Sequence, residues 1–272
     1  IYELGLNVSA VYIGGGTPTT LSAQQLKILL KAINESVPLC GNREFTVEAG
    51  RPDTVTRDKL SALREGGCDR VSINPQTMSA QVLKAIGRRH SPEDTIAAYK
   101  LAREFDFDVI NMDLIAGLPA DTQEGFMESV KKVIELAPEN ITVHTLALKK
   151  GSRITLEGSK IPDGHEVAEM LDFASKHLSE AGYEPYYLYR QKYTSGGFEN
   201  VGWTLPGKQS IYNICIMEEQ RSIIAAGCGG STKLIIPGKG KIERMFNPKY
   251  PFEYIGNIEK ILSDKRGIAD FY

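Results

Sequence analysis

The stretch Val8-Ser9-Ala10-Val11-Tyr12-Ile13-Gly14-Gly15-Gly16-Thr17-Pro18-Thr19 passes from β-branched and aromatic residues directly into three glycines. The apolar run predicts a buried strand over residues 8–13. Glycines that follow a strand allow a ligand to approach the backbone closely and leave N–H groups free to bind it. The spacing is neither a Walker loop, since no Gly-Lys-Ser/Thr follows, nor a G-x-G-x-x-G fingerprint. A flexible turn without a ligand is the alternative interpretation.

The same order of strand and helix repeats through the first half of the chain. Amphipathic patterns that begin at serine or proline predict helices between short apolar runs. Strands this apolar indicate a parallel sheet covered by helices, either a barrel or a doubly wound sheet. After the first strand, the predicted strands are Phe45–Glu48, Arg70–Ile73, Val109–Ile115, Ile141–Leu146 and Tyr186–Arg190.

The alternation stops near Gly196, where glycine, proline and tyrosine become dense. Two short runs, Lys233–Ile236 and Lys241–Phe246, predict a small hairpin. We therefore predict an α/β unit, either a barrel or a doubly wound sheet, over residues 1–195 and a C-terminal α+β appendage over residues 196–272.

Composition excludes several classes of protein. Of the 272 residues, 42% are hydrophobic and 24% are charged, which is typical of a globular protein and excludes disorder as the dominant state. A net charge of −2 provides no basic surplus for nucleic acid. No apolar run approaches the ~18–20 residues of a membrane span, and the first residues do not resemble a signal peptide. We expect a cytoplasmic protein that binds no nucleic acid and has no membrane span.

The cysteines and histidines do not form a recognisable metal site. Cys40, Cys68, Cys215 and Cys228 are separated by 28, 147 and 13 residues, which fits no compact zinc or iron–sulfur spacing. We expect reduced, buried thiols. No histidine pair has metal-ligand spacing, so structural or surface roles are expected for His90, His144, His165 and His177.

Polar side chains occur at the predicted strand ends. Glu48 ends the second strand, Gln76 follows the third, Asp113 lies in the fourth and Ala147 follows the fifth, while Arg88 lies in a break between helices. Carboxyl ends of parallel strands share one rim, where ligands bind. The carboxylates would suit hydroxyl or ammonium donors, and the guanidinium would suit a carboxylate. Surface positions for the carboxylates are the alternative.

An aromatic stretch accompanies the sixth predicted strand. Alternation along a strand would direct some of its rings at a planar ligand, whereas core packing is the competing interpretation. The stretch contains Tyr183, Tyr186, Tyr187, Tyr189 and Tyr193, with Arg190 and Lys192 between them.

The glycine run Tyr12–Thr19 resembles the glycine motif of radical S-adenosylmethionine (SAM) enzymes. Other stretches narrow the resemblance to the oxygen-independent coproporphyrinogen III oxidase-like branch. It is continuous from Val8 to Lys150 and looser over Gly151–Tyr272, where it is similar to the coproporphyrinogen dehydrogenase subgroup. The stretches that carry it are Thr46–Pro52, Asp69–Gln76, Gly87-Arg88, Asn111–Pro119, Tyr187–Lys192 and Gly227–Lys233.

The resemblance implies a partial (β/α)6 barrel and a set of SAM contacts. The matching positions for one SAM are Gly15, Gly16, Thr17 and Glu48. Some members hold a second SAM, for which the matching positions are Gln76, Arg88, Asp113 and Ala147. A late glycine-rich segment supplies a further adenosyl contact in the family, and Lys233 is its match here.

The family also carries a [4Fe–4S] cluster on a C-x-x-x-C-x-x-C motif in the loop after the first barrel strand. That motif would lie upstream of residue 1. We therefore expect residues 1–272 to lack the first strand and the cluster loop, and to generate no radical by themselves.

The activity implied is oxidative decarboxylation of the porphyrinogen coproporphyrinogen III to protoporphyrinogen IX, with an unidentified electron donor and acceptor. Arg88, Arg190 and Lys192 are candidates for substrate carboxylates. A heme chaperone of the same superfamily is a second interpretation, although its relatives usually carry His-Asn-x-x-Tyr-Trp where this chain has the residues Ile211–Ile216. A non-radical α/β barrel enzyme acting on a small phosphorylated or acidic ligand is a third.

Overall fold

The computed structural model describes residues 1–147, 161–192, 194–236 and 240–272. The chain divides into two compact units. The larger comprises Asn7–Ser210, and the smaller comprises Ile1–Leu6 with Ile211–Tyr272. The predicted boundary at residue 195 therefore falls before the division between the units, because residues 196–210 belong with the larger one.

A seven-stranded open sheet forms the centre of the larger unit. Its order is β1-β2-β3-β4-β5-β7-β6, with the first five strands parallel and β7 antiparallel to both of its neighbours. The strands are β1 Val8–Ile13, β2 Leu39–Glu48, β3 Arg70–Ser72, β4 Val109–Ala116, β5 Asn140–Thr145, β6 Glu184–Arg190 and β7 Glu199–Thr204.

Helices connect the strands, and their starts follow the predicted caps. The Ser22 side chain accepts a hydrogen bond from the Gln25 N–H, and Ser91 does the same for Asp94, each completing a capping box. The helices are α1 Ala23–Ser36, α2 Arg57–Glu65, α3 Ala80–Ala85, α4 Pro92–Arg103, α5 Gln123–Leu136 and α6 Gly164–Glu180.

The two faces of the sheet differ in polarity. Val47, Val71 and Ile110 are register partners on one face, and all three are buried in the main apolar core. Burial of these side chains against the helices is the main source of stability for this unit. The opposite face carries the polar side chains at alternate positions, which explains how one sheet serves both a core and a site.

A buried ion pair fills the amino end of the polar face. Arg70 lies 3.6 Å from Glu44, with 9% and 5% of their side chains exposed. Arg70 also donates to Asn140, and the Ser210 hydroxyl lies 2.8 Å from Glu44. Buried charges are tolerated only when paired and hydrogen-bonded in this way. The opposite, carboxyl end of the polar face is where the cavity described below lies.

The last two strands of the sheet do not follow their order along the chain. All six predicted strands are present, although β2 begins earlier, at Leu39. However, β6 does not lie beside β5, because the unpredicted strand β7 is inserted between them. The Asn200 side chain of β7 accepts a hydrogen bond from the Thr145 N–H at 2.7 Å, a contact that ties the insertion to the end of β5.

The smaller unit contains the predicted hairpin, with β8 at Ser231–Ile236 and β9 at Lys241–Phe246. Three helices that the sequence did not predict accompany it: α7 Ile211–Met217, α8 Pro251–Gly256 and α9 Ile258–Arg266. Leu234, Ile268 and Phe271 form its small core. Among the described residues of the whole chain, no helix is long and apolar enough to cross a membrane.

Candidate functional site

A ladder of hydrogen-bonded polar side chains crosses the polar face of the sheet. Register places Glu48, Ser72 and Asn111 side by side on β2, β3 and β4. The Asn111 amide donates to the Ser72 hydroxyl at 2.9 Å and to Asp113 Oδ1 at 2.7 Å, and its oxygen accepts from Thr142 at 3.2 Å. Because these partners hold one another in place, Asp113 is presented in a defined orientation.

The glycines after β1 lie beside Glu48. A Cβ on Gly14 would stand 2.9 Å from Glu48 Oε1, so only glycine fits against this carboxylate. Gly15 has φ of +107°, and a Cβ on Gly15 or Gly16 would meet open space. The turn therefore presents bare backbone next to a carboxylate.

The ionisation of Glu48 depends on its neighbours. Burial raises its pKa, and the negative charge of Asp113 raises it further. The Tyr12 hydroxyl, which donates to Oε1 at 2.5 Å, and the Gly15 N–H act in the opposite direction. A cationic ligand placed here would relieve the repulsion between the two carboxylates.

A cavity of about 300 Å³ lies at the carboxyl ends of β4 and β5. It brings together three of the predicted site residues: Gln76, Asp113 and Ala147. The remaining lining residues, none of which was a predicted contact, are Ile115, His144, Thr145, Leu146, Tyr189 and Gln191.

Asp113 is the ionised group of this cavity. Burial by itself would raise its pKa, but the nearby imidazole of His144, together with the Asn111 and Thr142 side chains, lowers it below its usual range. His144 Nε2 lies 3.7 Å from Asp113 Oδ2. An ionised Asp113 would be suited to accept from hydroxyl or ammonium donors.

Gln76 occupies a left-handed backbone conformation, with φ of +66°. Its N–H donates to the Asp113 carbonyl and its own carbonyl accepts from the Ile115 N–H, both at 2.9 Å. These two bonds hold a conformation that is unfavourable for a residue with a side chain. Strain of this kind concentrates at ligand sites, and here it positions the Gln76 side chain at the cavity.

Three predicted site residues lie elsewhere. Arg88 is half-buried and does not line the cavity; burial and the charge of Arg51 lower its pKa, while Asp53 opposes this. The Thr17 carbonyl accepts from the Thr20 N–H within the turn after the glycines. Lys233 belongs to the smaller unit, where its ammonium lies 3.2 Å from both Glu219 and the Ile216 carbonyl. Their roles as contacts remain predictions.

His144 and Tyr189 are the functional candidates that sequence reasoning missed. His144 was expected to be structural, and Tyr189 was one of a stretch with competing interpretations. The alternation of β5 is the signal that was available, because His144 lies two residues after Thr142 and so projects from the same face. Tyr193 lies outside the described residues, as do residues 148–150 at the end of the continuous resemblance.

The described residues fit SAM, but they do not fit the [4Fe–4S] cluster. Bare backbone at Gly14–Gly16 beside Glu48 fits the amino acid end of SAM. Within the described residues, no group of three or more His, Cys, Asp or Glu side chains could hold a metal. They therefore provide no ligand set for a [4Fe–4S] cluster.

The thiols are only partly as predicted. Cys68 is buried, and burial raises its pKa to about 12, which makes it unreactive. Cys40 and Cys215 are half-buried and Cys228 is exposed, so the expectation of buried thiols is wrong for Cys228. It lies between two glycines of positive φ, in the loop before β8.

Comparison with known proteins shows which family this chain is similar to. The family model for the radical SAM superfamily matches residues 2–133. The oxygen-independent coproporphyrinogen-III oxidase-like protein HemZ of Bacillus subtilis is 46% identical over 97% of this chain and 53% of its own length. The heme chaperone HemW of Escherichia coli is 30% identical over 92% of this chain and 62% of its own length. The chain therefore spans little more than half the length of these relatives.

A solved structure has a similar fold. Coproporphyrinogen III oxidase HemN of Escherichia coli aligns with a TM-score of 0.74 at 23% identity, covering 94% of this chain and 58% of that chain. The alignment establishes the fold, a mostly parallel sheet with helices on one face.

Proposed function

Because this chain belongs to the radical SAM superfamily, we propose that it acts as an oxygen-independent coproporphyrinogen III oxidase-like enzyme. The proposal is supported by 46% identity to HemZ over nearly the whole chain. The observation that carries it is the arrangement of the glycine turn, Glu48 and Asp113 along the carboxyl edge of β1–β4. Membership argues against the third interpretation, a non-radical barrel enzyme.

The reaction proposed converts two propionate side chains of coproporphyrinogen III to vinyl groups. Each conversion removes one hydrogen atom from the β-carbon, then CO2 and one electron, which leaves a carbon–carbon double bond. SAM with a reduced [4Fe–4S] cluster supplies hydrogen-abstracting power in this superfamily. The electron donor and the electron acceptor are further partners that the proposal requires.

The residues of this chain would bind and orient SAM and the substrate. The backbone N–H of Gly16 would face the carboxylate of SAM, since the Gly15 N–H interacts with Glu48, and Glu48 would accept from the SAM ammonium. In the cavity at the carboxyl ends of β4 and β5, Asp113 would accept from hydroxyl groups of the nucleoside of a second SAM, and the Gln76 amide would donate to or accept from them. The excess of carboxylate over basic groups at this rim favours cationic cofactors, so the tetra-acid substrate would need Arg88 or Lys192. Arg190 is already paired with Glu199 at 2.7 Å.

A heme chaperone is the second candidate, favoured by 30% identity to HemW over 92% of the chain. Such a protein would bind heme without oxidising coproporphyrinogen. The segment Ile211–Ile216 departs from the His-Asn-x-x-Tyr-Trp pattern of those relatives, since it contains neither histidine nor tryptophan. That departure is why we place the oxidase-like function first.

The two functions are separated by assays on the full-length protein reconstituted anaerobically with its cluster. We expect turnover of coproporphyrinogen III, lost in Glu48→Gln because a neutral amide no longer attracts the SAM ammonium. Glu65→Gln, which changes an exposed glutamate of α2, is the matched control and should retain turnover. Stoichiometric heme binding without turnover would instead establish the chaperone function.

A further inference from the structure

Four side chains that line the cavity form a chain of polar contacts. The Gln191 amide nitrogen lies 3.3 Å from the Tyr189 hydroxyl, which lies 3.3 Å from His144 Nδ1. The two rings meet edge to face, at 6.4 Å between centroids. On the far side of the imidazole, Nε2 lies 3.7 Å from Asp113 Oδ2.

The chemistry of these groups gives the chain a direction. An amide nitrogen only donates, so the Tyr189 oxygen accepts from Gln191 and its own proton points to His144 Nδ1. In the neutral form of the imidazole the hydrogen then lies on Nε2, facing Asp113, and the protonated form carries a hydrogen there as well. Asp113 Oδ1 is already occupied by the Asn111 amide at 2.7 Å, whereas Oδ2 faces the imidazole.

We propose that His144 is a specificity-determining residue, whose Nε2–H recognises one ribose hydroxyl together with Asp113 Oδ2. The inference rests on the proposed function, in which this cavity takes a nucleoside. A separation of 3.7 Å is too long for a direct hydrogen bond, but an oxygen placed between can lie about 2.8 Å from both atoms. A hydroxyl accepts from the imidazole and donates to the carboxylate.

Other charged groups suit this pair less well. An ammonium cannot accept from Nε2–H, and a carboxylate would be repelled by Asp113. The titratable groups near the pair are Glu48 on β2, which interacts with the Asp113 charge, and the Tyr187 and Tyr189 hydroxyls on β6. None of these is a cation that would pair with Asp113 in place of the ligand.

Gln76 adds a polar group to the same cavity. The residue is 8% exposed and its side chain lines the cavity, where the amide can donate to or accept from a ligand or water. Ile115, Leu146 and Ala147 supply the apolar surface that the carbon atoms of a nucleoside would contact.

The first test compares adenosine with 2′-deoxyadenosine and 3′-deoxyadenosine by calorimetry on the full-length protein. We expect one deoxy analogue to bind about tenfold more weakly than adenosine, the loss of one well-placed hydrogen bond. His144→Phe should weaken the binding of adenosine by a similar factor and leave the affinity for that analogue unchanged. The matched control is His165→Phe, on an exposed position of α6, which should bind all three as the wild type does.

The second test measures the tautomer of the His144 imidazole directly. Nitrogen-15 NMR of His144 should show the Nε2–H tautomer in the wild type. Tyr189→Phe removes one hydroxyl and should shift the population toward the Nδ1–H tautomer, because Tyr189 then no longer donates to Nδ1. If His144→Phe fails to fold, His144→Gln replaces it in the binding comparison.

The outcomes separate this inference from the function on which it rests. No detectable adenosine binding would overturn the nucleoside assignment, and the inference with it. Equal affinities for adenosine and both analogues, or a His144 variant that binds adenosine normally, would overturn the inference and leave the proposed function standing. An unchanged tautomer in Tyr189→Phe would also overturn it.

Discussion

At Gly14 a single hydrogen atom in place of a methyl group keeps Glu48 in position. A Cβ there would stand 2.7 Å from the Tyr12 ring and 2.9 Å from the Glu48 carboxylate. Gly14→Ala should therefore break the Tyr12–Glu48 hydrogen bond and lower the free energy of unfolding by about 1–3 kcal/mol. Gly16→Ala adds the same methyl to open space in the same turn, and urea unfolding should show a change within about 0.5 kcal/mol. Equal losses in both variants would contradict this explanation.

Asp121, in the loop before α5, makes stability depend on pH. Its Oδ1 accepts from the Thr122 N–H, whereas Oδ2 is buried without a partner among the described residues. Burial raises its pKa to about 6, above the roughly 3.9 of an unfolded chain. The folded state thus binds the proton more tightly, and this contribution to stability is full below about pH 4 and lost as pH rises through about 6.

The test is urea unfolding between pH 4 and 7. Asp121→Asn should flatten the fall in stability across that interval, by up to about 1.4 kcal/mol per pH unit. Asp58→Asn removes the same charge from an exposed position of α2 and is the control for net charge. A wild-type slope in the Asp121 variant would show that another group titrates.

Among the elements, the packing of a β6 side chain on β7 depends on one glycine. Gly202 of β7 is paired with Tyr187 of β6, and a Cβ on Gly202 would stand 1.8 Å from the tyrosine ring. The ring therefore lies over the glycine. Gly202→Ala should cost about 1–3 kcal/mol of stability in the wild type and clearly less in a Tyr187→Ala background, a coupling measured by a double-mutant cycle. Gly41→Ala in β2, where a Cβ meets nothing, is the control; additive losses would exclude this packing.

The strands that could be predicted from the sequence are those composed of residue types that favour strands. β1 and β4 are β-branched and apolar, so their existence and ends follow from local pattern. β7 contains Glu199, Asn200 and Gly202, residue types that are depleted in strands. It forms because β5 and β6 flank it and because Trp203 and Asn200 find buried positions there, information that no local window of sequence contains.

Over the whole larger unit, the predictable part of the candidate site is the part set by strand ends. Glu48, Gln76 and Asp113 could be grouped in advance because carboxyl ends of parallel strands share a rim. His144 and Tyr189 could not be paired, since their contact depends on β7 displacing β6 from β5. The insertion of one antiparallel strand thus determines which side chains meet across the cavity.

The distribution of thiols over the molecule leads to a last prediction, about iron. Cys40 and Cys68 belong to the larger unit and Cys215 and Cys228 to the smaller, and no group of three or more metal-binding side chains occurs among the described residues. A [4Fe–4S] cluster needs several converging thiolates. Residues 1–272 expressed alone and reconstituted with iron and sulfide should therefore hold no stoichiometric cluster by iron analysis and visible absorption. A variant with all four cysteines changed to serine should give the same background. About four irons per chain, lost in that variant, would show that these cysteines converge after all, and the cluster would then have to be placed within this chain.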